Sequence, residues 1–410
     1  MQAAQTVDIS KYQVEDALDL GAIVRDLDRV AELQQTQKRL GEISVAWLAS
    51  GHPLMGGEYY RGLRPAALLN HRYGWHTAVC DRMGTTDDEE GPLSFVTPGE
   101  GGHVMTPRII VLRPIKQWSS YWSTRAHKNG QLLIADLDDD VWGHEDWGPN
   151  HDTFRGKPTE TDDDIDKWCW EVDGWLASTP VIKKRILEFG PGRWKKKPSI
   201  VVAPNCYDPT GVGGGMLPKP GRRLGTRLWL SGRMSGDLEL WRELIAPLLT
   251  ELDLTFVHVG QEVRNERVAG SGEPRSFVGS CGFPPHRTIA RPTTVLPLMH
   301  KSFSDVSIGV IIQADHAYNA AKTEASAVEL ASMGLPLVAA TNHPLYKKIP
   351  GRVEIDPQAV RDRIEALLDP EVWEIESKRA RAWATETAVK REAEYLAAFE
   401  TLIGQMSSPH

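Results

Sequence analysis

Cysteine is scarce and scattered in these 410 residues: there are four (Cys80, Cys169, Cys206, Cys281), with no C-x-x-C pair. That pattern argues against a structural zinc site or a disulfide scaffold and for a reducing compartment, so a cytoplasmic location is expected. Long apolar runs are missing too, and no stretch reaches the roughly 18–20 residues of a membrane-spanning helix. The first residues, "MQAAQTVDISKYQVEDALDLG", have neither a basic start nor an apolar core, so no signal peptide is expected. Positive charge is not in excess: the formal net charge is -8, which disfavours tight non-specific binding to nucleic acid. One local exception is "KKRILEFGPGRWKKKP", whose plain reading is a solvated helix end and whose sharper reading is an acidic partner.

What is present is an α/β rhythm too long for one ordinary core. Residues 13–40 read as a polar helix. Short apolar runs follow at "ISVAWLAS", "WHTAVC", "RIIVLRP", "QLLIADLDDD" and "PSIVVAPN", spaced widely enough for crossover connections between parallel strands. A helix fits "YYRGLRPAALLNHRYG", with Pro65 disturbing its first turn. The acidic, aperiodic interval Gly143 to Lys167 reads as a surface excursion. The loop "CYDPTGVGGGMLPKPGRRLG" is rich in glycine and proline and marks a boundary between about Asn205 and Thr226. Beyond it the rhythm restarts with "TRLWLSG", "GDLELWRELIAPLLTEL", "LTFVHVG", "SDVSIGVII" and "LPLVAA". The expected fold class is α/β, with two Rossmann-like parallel-sheet domains in succession.

The stretch "AYNAAKTEASAVELASMGLPLVAAT", Ala317 to Thr341, reads as one helix ending at Gly334 and leading into a buried strand. Asn319 is a candidate cap and Lys322 falls in the first turn, where free N–H groups and a cation make an anion site. Glu329 lies seven residues on, about 10 Å along a helix axis. That span fits a diphosphate and its attached ribose; the plain alternative is an exposed Lys–Glu pair.

This N-x-x-K-T…E…G-L-P-L-V pattern resembles the nucleotide-sugar motif of GT-B glycosyltransferases, in the branch with N-x-x-K-S, a glutamate ten residues after the asparagine, and G-x-P-x-V. "YYRGLRP", "LLIADLDDDVW", "ASTPVIKK", "VVAPNCYD" and "WLSGRMSGDL" resemble other elements of that superfamily in the right order, over roughly Ser44 to Tyr346. The resemblance implies two domains facing a cleft and a C-terminal helix crossing back to the first. The divisions expected are residues 1–205 for the acceptor side, 206–372 for the nucleotide-sugar side, and 373–410 for the returning helices. It implies a metal-independent glycosyltransferase with a UDP-sugar or GDP-sugar as co-substrate and no other cofactor. The acceptor stays open among a glycan, a protein and a hydroxylated DNA base. A nucleotide-sugar epimerase of the same fold, or a non-catalytic sugar-nucleotide-binding or virion-associated protein, are the alternatives.

Carried over by position, Glu329 would hold the ribose, while Lys322 and Arg233 would neutralise the diphosphate on which charge builds as the sugar leaves. Asn319, Thr323 and Gly232 would line the same site, and Arg61 would face the cleft from the first domain. Retaining members carry a second glutamate where this chain has Ala321, which leaves the stereochemical outcome open. His52, after the first strand, is a candidate general base or acceptor contact, or an ordinary turn histidine. His316 is a candidate sugar contact. The "DLDDD" run, Asp136 to Asp140, admits metal or phosphatase chemistry. Asp140 stands where a phosphatase carries Thr or Val, no later G-D-x-x-x-D follows, and the surrounding layout needs no metal. The expected role is a carboxylate cluster at a strand's C-terminal edge, lining the cleft. The 14 tryptophans are read as core and loop anchors, with stacking on sugars or bases the alternative.

Overall fold

The computed structural model describes residues 13–14, 44–48, 56–80, 82–83, 90–96, 104–113, 120–138, 171–192, 194–208, 218–227, 235–260, 277–292, 296 and 299–407. His52, Gly232, Arg233, Asp139, Asp140, the Gly143–Lys167 excursion and residues 15–40 of the expected first helix lie outside them.

Sixteen strands run in chain order among the described residues: β1 (Gln13–Val14), β2 (Ser44–Leu48), β3 (His76–Cys80), β4 (Arg82–Met83), β5 (Phe95–Val96), β6 (Val104–Met105), β7 (Ile109–Leu112), β8 (Leu132–Leu137), β9 (Gly174–Ala177), β10 (Ser199–Val202), β11 (Arg223–Arg227), β12 (Thr255–Gly260), β13 (Thr288–Pro292), β14 (Ile308–Ile312), β15 (Leu337–Ala340) and β16 (Arg352–Val353). The first large sheet has the order β10-β9-β8-β7-β2-β3 and the second β1-β13-β12-β11-β14-β15-β16. Every neighbouring pair in both is parallel. The near-continuous apolar runs explain this, because strands covered by helices on both faces need no polar side. β7 (IIVL) is buried at all four positions. β4, β5 and β6 form a small antiparallel sheet of their own.

Apart from the added edge β1, the second sheet follows the dinucleotide-fold order 3-2-1-4-5-6, which reverses between β11 and β14. In the first sheet the reversal falls between β2 and β7. Such reversals open a crevice beyond the carboxyl ends of the strands, because the connections leave in opposite directions there. The dipeptide Gln13–Val14, expected as the start of a helix, is instead an edge strand paired with β13.

The last helix, Pro370–Ser407, is one continuous element of 38 residues. Its early part packs on the second sheet's side, where Trp373 Nε1 donates to the Ser307 carbonyl at 2.7 Å. Ala380, Ala384 and Ala388, spaced by one turn, pack in the same core as Met333, Leu335 and Leu337. Its later part carries Tyr395, Phe399 and Leu402 into the core around Val45 and Trp47. Gly174 on β9 makes room for it: a Cβ there would stand 2.8 Å from Leu402 Cδ1. No helix among the described residues is long and apolar enough to cross a membrane.

Candidate active site

The Ala317–Thr341 stretch is not one helix. A single turn, Ala317–Ala320, is followed by a loop and then the helix Ala325–Ser332. Two carbonyls that a continuous helix would use internally are engaged by remote hydroxyls. Thr179 Oγ1 donates to Ala321 O at 3.2 Å, and Tyr346 Oη donates to Thr323 O at 3.3 Å. The helix does stop where expected, because Gly334 takes a left-handed φ of 82° and Leu335 N donates back to Leu330 O at 3.2 Å.

Two expectations change with this break, and the Ala321 position gains a location. Lys322 lies in the loop rather than in a first helical turn, so it and Glu329 do not share a helix face. Asn319 does not cap the helix; its amide donates to Asp237 Oδ1 and to Ala314 O, each at 3.0 Å. Ala321 is buried in the first domain's core cluster, so its side chain offers the cleft nothing.

Lys322 is half-buried and its charge acts on carboxylates from both sheets, Asp138 beyond β8 and Asp237 on the second-domain helix Ser235–Leu244. Burial pushes the Asp237 carboxyl up to about 6, against hydrogen bonds from Ala314 N and Asn319 and the charges of Lys322 and His316. His316 therefore belongs to the same neighbourhood. Burial also works against ionised Asp138, but Arg113 and Arg61 beside it hold its pKa below the ordinary value. Arg113 Nη2 donates to Asp138 Oδ1 at 2.8 Å and Nη1 to Gly57 O at 2.9 Å.

Arg61 does not face the cleft. It is fully buried, pairs with the equally buried Asp136 through Nε at 2.9 Å and through Nη2, and donates to Ala203 O. Its guanidinium lies 5.7 Å from the Tyr395 ring centroid. Burial would lower its pKa, but Asp136 outweighs that and keeps the charge in place. Asp136 accordingly neutralises a core arginine and does not line the cleft. The preceding residue, Tyr60, goes the other way. It leaves the π-helical turn Tyr59–Leu63 and donates to Glu329 Oε1 at 2.6 Å, across the two domains. Arg227, the last residue of β11, donates to the same oxygen. Glu329 is buried, at 2% exposure.

Two further contacts bring the halves together beside Lys322. Asn205 Nδ2 donates to Thr323 Oγ1 at 2.9 Å, and Arg391 of the last helix donates to Glu324 Oε1 at 2.6 Å. A cavity of about 670 Å³ opens next to them, between Thr179, the open edge of β10, Thr323, Glu324 and Arg391. It adjoins the Lys322 loop without including Lys322 or Glu329.

Sequence reasoning named Lys322, Glu329, Asn319, Thr323 and His316, which lie within one stretch of the second domain. It missed Tyr60, Arg227 and Asp237. Tyr60 and Asp237 fall inside quoted motifs, beside the residues that drew attention. Arg227 had one available signal, an arginine at the carboxyl end of an apolar strand.

The two parallel sheets, with these strand orders, are those of the GT-B fold. No family model and no curated protein sequence matches the chain. Solved structures do. A glycosyltransferase from Rickettsia africae ESF-5 aligns with a TM-score of 0.54 at 10% identity, over 88% of this chain and 98% of that one. Sucrose-phosphate synthase from Thermosynechococcus elongatus aligns at 0.53 and 12% identity, over 89% and 99%. The trehalose-6-phosphate synthase of E. coli, solved with UDP-2-fluoro glucose, aligns at 0.51 and 11% identity, over 89% and 99%. At such identities the likeness establishes the fold.

Proposed function

We propose that this chain transfers a sugar from a nucleoside-diphosphate donor, held mainly by the second domain, to an acceptor hydroxyl held mainly by the first. The observation that carries this reading is Lys322, a half-buried cation beyond β14 at the second sheet's reversal point, close to carboxylates of both domains. α/β sheets bind phosphates at such a crevice. The solved neighbours named above support it, one of them with a sugar nucleotide bound.

In the reaction the bond from the sugar's anomeric carbon to the diphosphate oxygen breaks, and a bond to the acceptor oxygen forms. The acceptor's proton passes to a base or to the departing phosphate. Negative charge grows on the diphosphate, and a fixed cation stabilises it more than it stabilises the bound donor. Lys322 takes that role, and the sequence resemblance assigns Arg233 to share it. No metal is required in this reading. His52 is the sequence's candidate for receiving the proton, and Glu329 the candidate for the ribose. The acceptor is a glycan, a protein hydroxyl or a hydroxylated DNA base, and the setting is cytoplasmic.

A thermal-shift panel of nucleoside diphosphates and their sugars tests the donor, followed by mass spectrometry of acceptors with the best one. Stabilisation by one nucleotide series is expected. Lys322→Ala should then lower turnover by about 10²–10³-fold. If no nucleoside diphosphate or sugar nucleotide stabilises the protein, the reading fails. Conversion of the donor sugar without any acceptor would mark an epimerase instead.

A further inference from the structure

Glu329 accepts side-chain hydrogen bonds from both domains. Its Oε1 accepts from Tyr60 at 2.6 Å and from Arg227, which leaves that oxygen fully engaged. Its Oε2 is buried and has no hydrogen-bond partner among the described residues. A buried carboxylate oxygen without a donor is costly, and native structures keep such atoms where a ligand or water completes them. Tyr60 itself is held firmly on the first domain. Its ring packs edge-on against Tyr207 at 5.1 Å and Tyr59 at 5.5 Å. Burial and the neighbouring Glu329 keep its phenol protonated well above the ordinary range, so it remains a donor.

We propose that Tyr60 and Arg227 are positioning residues for Glu329, fixing Oε1 so that Oε2 is presented to a ribose hydroxyl of the donor. This rests on the sugar-nucleotide reading above and goes beyond it. It makes recognition of the donor's ribose depend on a first-domain side chain, so the second domain cannot bind the ribose fully until the first domain is in place. Donor affinity and domain closure are then one linked equilibrium, in which each favours the other by the same factor. Arg227 supplies the ion-pair partner for the buried carboxylate. Tyr60 supplies the geometry.

The test is isothermal titration of UDP and GDP, and of the 2′,3′-dideoxy analogue of whichever binds. The proteins are wild type, Tyr60→Phe, Glu329→Gln and the double variant. Tyr60→Phe deletes one oxygen and keeps the ring packing. It should weaken the ribonucleotide by about tenfold, the scale of one hydrogen bond to a charged group, and leave the dideoxy analogue within about twofold. Glu329→Gln should remove the preference for the ribonucleotide, and adding Tyr60→Phe to it should then cost nothing further. Equal weakening of both nucleotides by Tyr60→Phe, or none, would show that the contact only joins the domains, and would overturn the inference while leaving the donor reading intact. Should Tyr60→Phe prove unstable, additive losses for the ribonucleotide in Arg227→Lys and Glu329→Gln would overturn it equally. Absence of binding by the wild type would overturn both.

Discussion

On the first-domain side, the two acidic groups at the end of β8 each have their own arginine. Asp136 pairs with Arg61 and Asp138 with Arg113, both arginines being buried. On the second-domain wall, Asp237 is held by a backbone amide and a side-chain amide, with Lys322 acting on it through space. An arginine pair is a closed unit: charge is cancelled locally, and a passing ligand changes little in it. A carboxylate held by neutral amides keeps its proton balance open, because burial and nearby cations oppose each other. The Arg61–Asp136 and Arg113–Asp138 pairs are therefore built to stay fixed, as is Arg227–Glu329 on the second side, while the Asp237 group is built to respond to a charged ligand.

The sharpest way to break that contrast is at Arg61. Arg61→Met should destabilise the protein by about 3–5 kcal/mol, because Asp136 would remain buried without its partner. Chemical denaturation followed by tryptophan fluorescence reads this, since Trp47 lies in the first-domain core beside Tyr395. Replacing the pair together, Arg61→Met with Asp136→Leu, should recover much of the loss. A single variant as stable as wild type would mean that the pair is not the closed unit described.

Asp237 gives a smaller effect with a distinctive pH signature. Its pKa rises on folding from 3.8 to about 6, so the folded chain binds the proton more tightly than the unfolded one. The stabilising contribution is complete below pH 3.8 and is lost as pH rises through about 6. Asp237→Asn removes this dependence while keeping an oxygen that accepts from Ala314 N. Relative to wild type it should gain stability between those pH values, up to roughly 3 kcal/mol at neutral pH. Melting curves of both proteins from pH 4 to 8 would show it. Parallel curves across the range would mean that Lys322 already neutralises Asp237.

Much of the framework was legible because each parallel strand buried on both faces carries a compact apolar signature, as in "IIVL" and "LLIADL". β13 escaped notice because "TIARP" has few large apolar residues and ends in proline. The order of motifs pointed to the Lys322 loop and to Glu329. Their geometry was not legible, because the break between them is made by Thr179 and Tyr346, remote in sequence from the loop's helical pattern. The Tyr60–Arg61 reversal has a local cause. Successive side chains on a helical turn diverge by about 100°, so two neighbours cannot share a destination. The motif marked the turn, and only packing decided that Arg61 enters the core while Tyr60 crosses.

The smallest expected effect tests where the two walls meet. Asn205 follows β10 on the first domain and donates to Thr323 Oγ1 at 2.9 Å, one residue beyond Lys322. Asn205→Ala removes one neutral hydrogen bond and leaves both buried ion pairs untouched. Global stability should fall by only about 1 kcal/mol. Amide exchange should respond selectively, faster in the Ala321–Glu324 loop and unchanged in β7 and β8, because the loop rests on contacts from both domains while those strands lie within one. If the two regions accelerate together, the walls form a single cooperative unit and the contrast between fixed pairs and a responsive group does not hold. If only the loop responds, the second wall's freedom is set by how firmly the first wall holds it, which is the dependence that Tyr60 and Glu329 would impose on the donor.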